Sequence, residues 1–318
     1  MVFNRIATSL LALSTALVSP FALSQVEGPQ PTQALLAIAS KDGSTVMPAD
    51  LTVDVNGKSR DVTALTLLRP SDIQIAILID DGLRSSVGRQ LEDIRQFIQT
   101  LPAGTEVLVG SMQNGRVVPA QPFTSNLAAA ASQLRIPMGT LGVDASPYFC
   151  LSDFAKRWPT EAAYGAASNP GRKARFVLML TSGVDPYNGS VSPMNQDSPY
   201  VQASITDAQR AGISVSAIYY GQVGIRGGAA NFSGQSYLSQ VAEGTGGYSY
   251  YQGRGNPVTL APYLKNFESD IAQTYVANFL APSVKDVVSF RVKTKAKGLK
   301  IRAASAVRPG ILLVSSGQ

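Results

Sequence analysis

The sequence predicts an α/β fold: a doubly wound, mostly parallel sheet inserted into a small β domain built from both chain ends. Three observations lead there. Ile73–Ile79 and Arg175–Leu180 are apolar on both faces, as strands are when helices cover each side of a sheet. Around them, strands alternate with segments of helical spacing, the β-α order of a parallel sheet. Outside residues 71–277 the apolar pattern returns to period two, as in strands with one wet face.

The first 24 residues read as an export leader. Arg5 supplies the positive end, Ile6–Val18 the apolar core and Ala22-Leu23-Ser24 a small-residue cleavage site before Gln25. The apolar core is too short to span a bilayer, and no cysteine stands at the junction to take a lipid. The chain is therefore expected to be exported, periplasmic or secreted. Removing Arg5 lowers the net charge from +6 to +5, a modest excess that points to no nucleic-acid partner.

Residues 25–70 form an N-terminal β segment. Val26–Gln33 is a Pro/Gln-rich lead-in, followed by strands at Ala34–Ala39 and Leu51–Val55. Asn56-Gly57 signals a hairpin turn, with Arg60–Leu68 as the return strand and Pro70 closing the segment.

Residues 71–277 carry the α/β alternation. The strand from Ile73 ends at Asp80-Asp81-Gly82, and Val87–Leu101 follows as an amphipathic helix. Glu106–Ser111 is a strand, Asn114-Gly115 turns into Val117–Val118, and Leu127–Leu134 is an alanine-rich helix. After the loop Pro137–Ser146, a helix at Pro147–Trp158 precedes the strand that ends in Thr181-Ser182-Gly183. Tyr187–Ser198 is a polar loop, Val201–Ala211 a helix stopped by Gly212, and Ile213–Tyr219 a strand. Val223–Gly234 reads as a glycine-rich loop and Tyr237–Glu243 as a short helix. Gly246-Gly247 then turns into a strand at Tyr248–Tyr251, and Leu260–Tyr275 is a last helix. Residues 278–318 return to β structure at Phe290–Ala296, Lys300–Ala303 and Ile311–Val314, pairing with residues 25–70.

Composition limits the chemistry. With no histidine, Ser-His-Asp triads, Cys-His pairs and histidine-ligated zinc are excluded. The single cysteine, Cys150, lies between Phe149 and Leu151 and reads as a small buried hydrophobe. Asp80 and Asp81 are adjacent at a strand end, so they point in different directions and make a poor acid/base pair. The chain is expected not to be an enzyme; a carboxylate-based extracytoplasmic hydrolase is the rival of another class.

Four landmarks carry a resemblance. They are the apolar strand ending in Asp80, Gly139-Thr140 before a helix, and the stretch RFVLMLTSG from Arg175 to Gly183. The fourth is Gly212-Ile213-Ser214-Val215 followed by Leu238, Ala242 and Thr245-Gly246-Gly247. In their order and spacing the chain resembles a von Willebrand factor type A (VWA) domain over Ser71–Ala277. The flanking β segments look like those of bacterial exported VWA-related proteins.

The resemblance implies a metal-ion-dependent adhesion site, in which Asp-x-Ser-x-Ser, a threonine and a second aspartate hold Mg²⁺. Here Asp80 and Thr140 match, while Gly82, Arg84 and Ser182 stand where two serines and an aspartate belong. The expectation is a degenerate site without cofactor. Its partner-binding face would comprise Asp80, Asp81, Gly82, Arg84, Ser85, Ser86, Thr140 and Ser182, directed at a protein. The alternative keeps Mg²⁺ on Asp80 and Thr140. Arg84 either pairs with Asp80 or Asp81 in place of the ion or points into solvent.

Arg291, Lys293, Lys295 and Lys297 alternate with smaller residues, which on a strand puts four cations on one face. That face is either a strip for an anionic envelope polymer or a lysine-protected, solvated edge. Tyr219, Tyr220, Tyr248, Tyr250 and Tyr251 read as an aromatic binding surface or as sheet packing.

Overall fold

Asn56 and Gly57 both have positive φ, 49° and 73°, the conformation of a two-residue hairpin turn. They join β2 (Leu51–Val55) to β3 (Lys58–Asp61), which follow β1 (Gln30–Ser40). The computed structural model describes residues 28–41, 43, 45–138, 146–159, 172–185, 198–221, 227–251, 253 and 255–314. The expected leader, residues 1–24, lies outside them, as does most of the loops Pro137–Ser146 and Tyr187–Ser198.

Three further strands come late in the chain: β10 (Thr274–Ala281), β11 (Val288–Thr294) and β12 (Leu299–Ala303). With β4 (Ala64–Leu67) and the two-residue β13 (Ala306–Val307) they build two antiparallel sheets, ordered β12-β1-β10-β4 and β13-β11-β2-β3. Both chain ends thus share one sandwich. Its core includes Leu36, Val53, Val55, Phe279 and Phe290, and the two phenyl rings stack with centroids 5.2 Å apart. The expected single return strand Arg60–Leu68 is corrected: the chain leaves one sheet after Asp61 and joins the other at Ala64. Val62 is buried at the crossing, and the Thr63 N–H donates to the Asn278 carbonyl.

Between these ends sits the five-stranded sheet β7-β6-β5-β8-β9. It is formed by β5 (Ile73–Asp80), β6 (Glu106–Gln113), β7 (Arg116–Pro119), β8 (Ala174–Thr181) and β9 (Ile213–Tyr219). Only the β6–β7 hairpin is antiparallel. Ile75, Ile77 and Ile79 of β5 pack in one core with α1 (Leu91–Thr100), α2 (Leu127–Ser132) and α6 (Ala261–Ala272). Ala76 and Leu78 pack in the other with α3 (Pro147–Lys156), α4 (Pro199–Ala211) and α5 (Gly227–Thr245). Two wet-free faces require two apolar faces on the strand, hence the unbroken run.

Several boundaries differ from expectation. The helix predicted from Val87 begins at Leu91, after a 3₁₀ turn at Ser85–Gln90 that contains Gly88, a poor helix former. Glycine-rich sequence from Gly227 onward is helix rather than loop. Packing outweighs propensity there, because Gly234 lies so close to Ser182 that a Cβ would sit 2.3 Å from its carbonyl oxygen. Tyr248–Tyr251 is not a strand but a single bridge, Ser249 to Ala217. Tyr275 belongs to β10, not to the last helix. Ile311–Val314 is not a strand either: the N–H groups of Leu313 and Val314 donate to the Gln33 side-chain oxygen at 2.7 and 2.9 Å. Lys295 and Lys297 lie past the end of β11, so the four cations do not share one strand face. Tyr219 and Tyr220 are buried packing residues, while Tyr248 is half exposed.

Candidate functional site

The strand that ends at Asp80 delivers its carboxylate to the carboxyl edge of the sheet, where open α/β folds place ligands. Asp80 is 7% exposed. Its Oδ2 accepts from the Thr181 hydroxyl at 2.6 Å and its Oδ1 from the Gly82 N–H at 2.9 Å. The Thr181 hydroxyl in turn accepts from the Gly183 N–H at 3.1 Å. Burial pushes the Asp80 pKa up to about 6, against the pull of those two donors.

Asp81 faces the other way. Its backbone N–H donates to the Met112 carbonyl, which turns the side chain toward β6 and the segment after α2. There Oδ1 accepts from Arg135 at 2.8 Å and from the Met138 N–H at 3.0 Å, and Oδ2 accepts from Gln113 at 2.8 Å. The cation beside this carboxylate pair is therefore Arg135, not Arg84. Arg84 is exposed. It starts the 3₁₀ turn from an extended backbone, φ −65° and ψ 150°.

Ser85 and Ser86 are exposed beside Arg84, and the Ser86 and Tyr220 hydroxyls lie 3.4 Å apart. Ser182 is buried, with its Oγ accepting from the Val184 N–H at 3.4 Å. Thr140 lies outside the described residues. Asp80, Asp81, Gly82 and Ser182 thus form the floor, and Arg84, Ser85 and Ser86 the outward tip.

Around Ser182-Gly183 the backbone is closely held. Gly183 has φ +65°, and a Cβ there would sit 2.5 Å from the Gly234 carbonyl oxygen. The fully buried Tyr148 donates to the Gly183 carbonyl at 2.6 Å, and burial holds its phenol well above the usual range. Asp185, close by, accepts from Ser198 at 2.8 Å. Two buried hydroxyls on the flanking elements, Ser146 and Ser233, have no hydrogen-bond partner among the described residues. Cys150 is buried and its thiol is pushed up to about 12, which makes it inert.

Of the two oxygen ligands expected for Mg²⁺, the described residues include Asp80 and not Thr140. Mg²⁺ needs near-octahedral oxygen ligation. Each Asp80 oxygen already accepts from the protein, and Asp81 is neutralised by Arg135. Sequence reading missed Thr181, Gln113 and Arg135. Thr181 had a signal, being the first residue of the Thr-Ser-Gly strand end. Arg135 had none, since 54 residues separate it from Asp81.

The mostly parallel sheet with helices on both faces is the arrangement that the resemblance to VWA domains implies. Comparison of the sequence with protein-family models and with curated proteins finds no match. Among solved structures, a VWA protein from Catenulispora acidiphila is similar at 13% identity and TM-score 0.40, covering 90% of this chain and 75% of that one. An aerotolerance-related membrane protein from Bacteroides fragilis is similar at 12% identity and TM-score 0.42, covering 63% of this chain and 98% of its own. The pilus adhesin SpaC from Lactobacillus rhamnosus GG is similar at 10% identity and TM-score 0.41, covering 85% of this chain and 46% of that one. What the Asp80 face can do follows from its own groups.

Proposed function

We propose that this chain is an exported, non-enzymatic protein-binding module that presents the Asp80 edge of its sheet without bound metal. One observation carries the reading: every carboxylate oxygen of Asp80 and Asp81 accepts from a protein donor, while Arg84, Ser85 and Ser86 remain exposed above them. Internally satisfied carboxylates are a scaffold rather than a reactive pair. An exposed guanidinium flanked by hydroxyls suits a partner's carboxylate. The leader supports export, and the resemblance to VWA domains supports a protein as the partner.

The test is capture from an envelope fraction with immobilised protein, with and without chelator. The same partner should be retained in chelator and lost in the double variant Arg84→Glu, Ser86→Ala. Capture that needs added Mg²⁺ would overturn the metal-free reading, and capture unaffected by the variant would overturn the choice of face.

A further inference from the structure

The strands that carry Asp80 and Thr181 at one edge begin, at the other, under a concentration of positive charge. Arg175 is six residues before Thr181 on β8, about 20 Å away at the usual strand rise. A cavity of about 330 Å³ at this basal edge is lined by Lys156, Arg172, Lys173, Arg175, Arg210 and Arg308, with Asp207 as its one carboxylate. It adjoins a second cavity of about 490 Å³, which shares Arg172, Arg308 and Ile311 and adds Lys285.

Half of these cations have structural employment. Lys156 and Arg210 pair with Asp207 at 3.0 and 3.3 Å, at the carboxyl ends of α3 and α4, where positive charge is favoured. Arg210 also makes a two-bond contact with Asp286. Lys173 pairs with Glu106 at 2.5 Å. The other half do not. Among the described residues Arg172 and Arg175 make no ion pair, and Arg308 acts on Asp286 only through its charge; Arg172 donates to the Leu312 carbonyl at 3.1 Å and Arg175 to the Ala211 carbonyl at 3.3 Å.

Arg175 is the decisive member. Its guanidinium lies 5.3 Å from the centre of the Trp158 ring. Burial, and then the charge of Arg172, pull its pKa down to about 10. A partly desolvated guanidinium without a counter-ion is costly and is relieved when an anion arrives. Planar guanidinium forks match the oxygens of a phosphate group. The first cavity is at the small end of the range for ligand sites.

We infer that the basal groove is an anion-binding site for a phosphate-bearing ligand of sugar-phosphate or lipid-headgroup size, gripped by Arg172, Arg175 and Arg308. The site is independent of the Asp80 face, at the far end of the same sheet. It differs from the cations of β11, where Lys293 is paired with Asp54 at 2.5 Å.

Two double variants of equal net charge test it: Arg172→Gln with Arg308→Gln in the groove, and Arg291→Gln with Lys295→Gln outside it. The purified protein is titrated with pyrophosphate by calorimetry. It is also sedimented with vesicles of phosphatidylglycerol or of phosphatidylcholine. The groove variant should weaken pyrophosphate binding by at least about tenfold, and the outer variant by less than about twofold. Groove-dependent binding of pyrophosphate supports a soluble phosphate ester. Groove-dependent sedimentation with phosphatidylglycerol alone supports a lipid headgroup. Absence of binding to both probes, or equal loss in both variants, overturns the site. The single variant Arg308→Gln, at an exposed position, replaces the double if the latter melts early.

Discussion

The two edges of the central sheet treat charge in opposite ways. At the carboxyl edge, Asp80 and Asp81 are buried and all their oxygens are occupied by Thr181, Gly82, Gln113, Arg135 and the Met138 backbone. At the basal edge, three guanidiniums border open cavities whose one lining carboxylate, Asp207, is taken up by Lys156 and Arg210. The edge where the resemblance locates chemistry is thus the one whose carboxylate oxygens all accept hydrogen bonds from the protein. Unpaired positive charge, which an anion relieves, lies at the other. The contrast teaches that a familiar motif position and an available binding group are separate properties.

The largest effect should come from breaking the rigidity of the carboxyl edge. Gly183→Val places a side chain in the left-handed region, with its Cβ 2.5 Å from the Gly234 carbonyl oxygen. A cost above about 3 kcal/mol, read by denaturant unfolding, is expected from combined strain and overpacking. Gly298 has φ +80° but open space around it. Gly298→Ala should cost only about 1 kcal/mol. Equal costs would mean that α5 does not clamp the Ser182-Gly183 turn.

Next is the titration of Asp80. Its folded pKa of about 6 lies above the ordinary 3.8, so the folded chain holds this proton between those values. Stability should therefore be full below pH 3.8, fall as pH rises through 6, and then level off. The shift corresponds to at most about 3 kcal/mol. With no histidine in the chain, no imidazole titrates in this window. Asp286, lowered to about 2 chiefly by Arg210, loses its contribution only as pH falls through that value. Asp80→Asn should flatten the window and raise stability at pH 8 by about 1–2 kcal/mol. A wild-type profile that rises with pH across it would show that Asp80 is held ionised.

A smaller effect is expected from Arg135→Ala. Arg135 is about half exposed while Asp81 is 5% exposed, and Gln113 and the Met138 N–H remain as donors. The loss should be about 1–2 kcal/mol in denaturant unfolding, reflecting a buried carboxylate that has lost one of several partners. Arg84→Ala should be neutral. Reversal of the two would restore Arg84 as the stand-in cation.

The smallest effect sharpens the comparison. Titration calorimetry with Mg²⁺ should show no saturable heat for the wild type, because the carboxyl edge offers Asp80, already engaged twice, and Asp81, paired with Arg135. The triple variant Gly82→Ser, Arg84→Ser, Ser182→Asp should bind, since it supplies the missing oxygen ligands and removes a cation. Wild-type binding would overturn the self-satisfied reading of that edge.

The fold was legible where one physical rule acted locally. Apolar runs of both faces marked β5 and β8, since only a strand covered on each side needs them. Gly212 marked the end of α4 and has the expected left-handed conformation, φ 66°. Asn56-Gly57 marked a hairpin for the same reason. Misreadings arose where a distant segment decided. The glycines of α5 looked like slack but provide a close approach to Ser182, and Ile311–Val314 looked like a strand but is held by Gln33.

By itself, the sequence determined the α/β class, the sheet edge that carries Asp80 and the absence of histidine chemistry. These follow from period, from strand ends and from composition, each readable within a few residues or from a simple count. Tertiary structure alone decided which cation neutralises Asp81, which hydroxyl holds Asp80, and where unpaired arginines converge. Charge pairing acts through space over a few ångströms. Arg135 and Asp81, or Arg172 and Arg308, are neighbours only after strands and helices have been stacked, and no local pattern records that meeting.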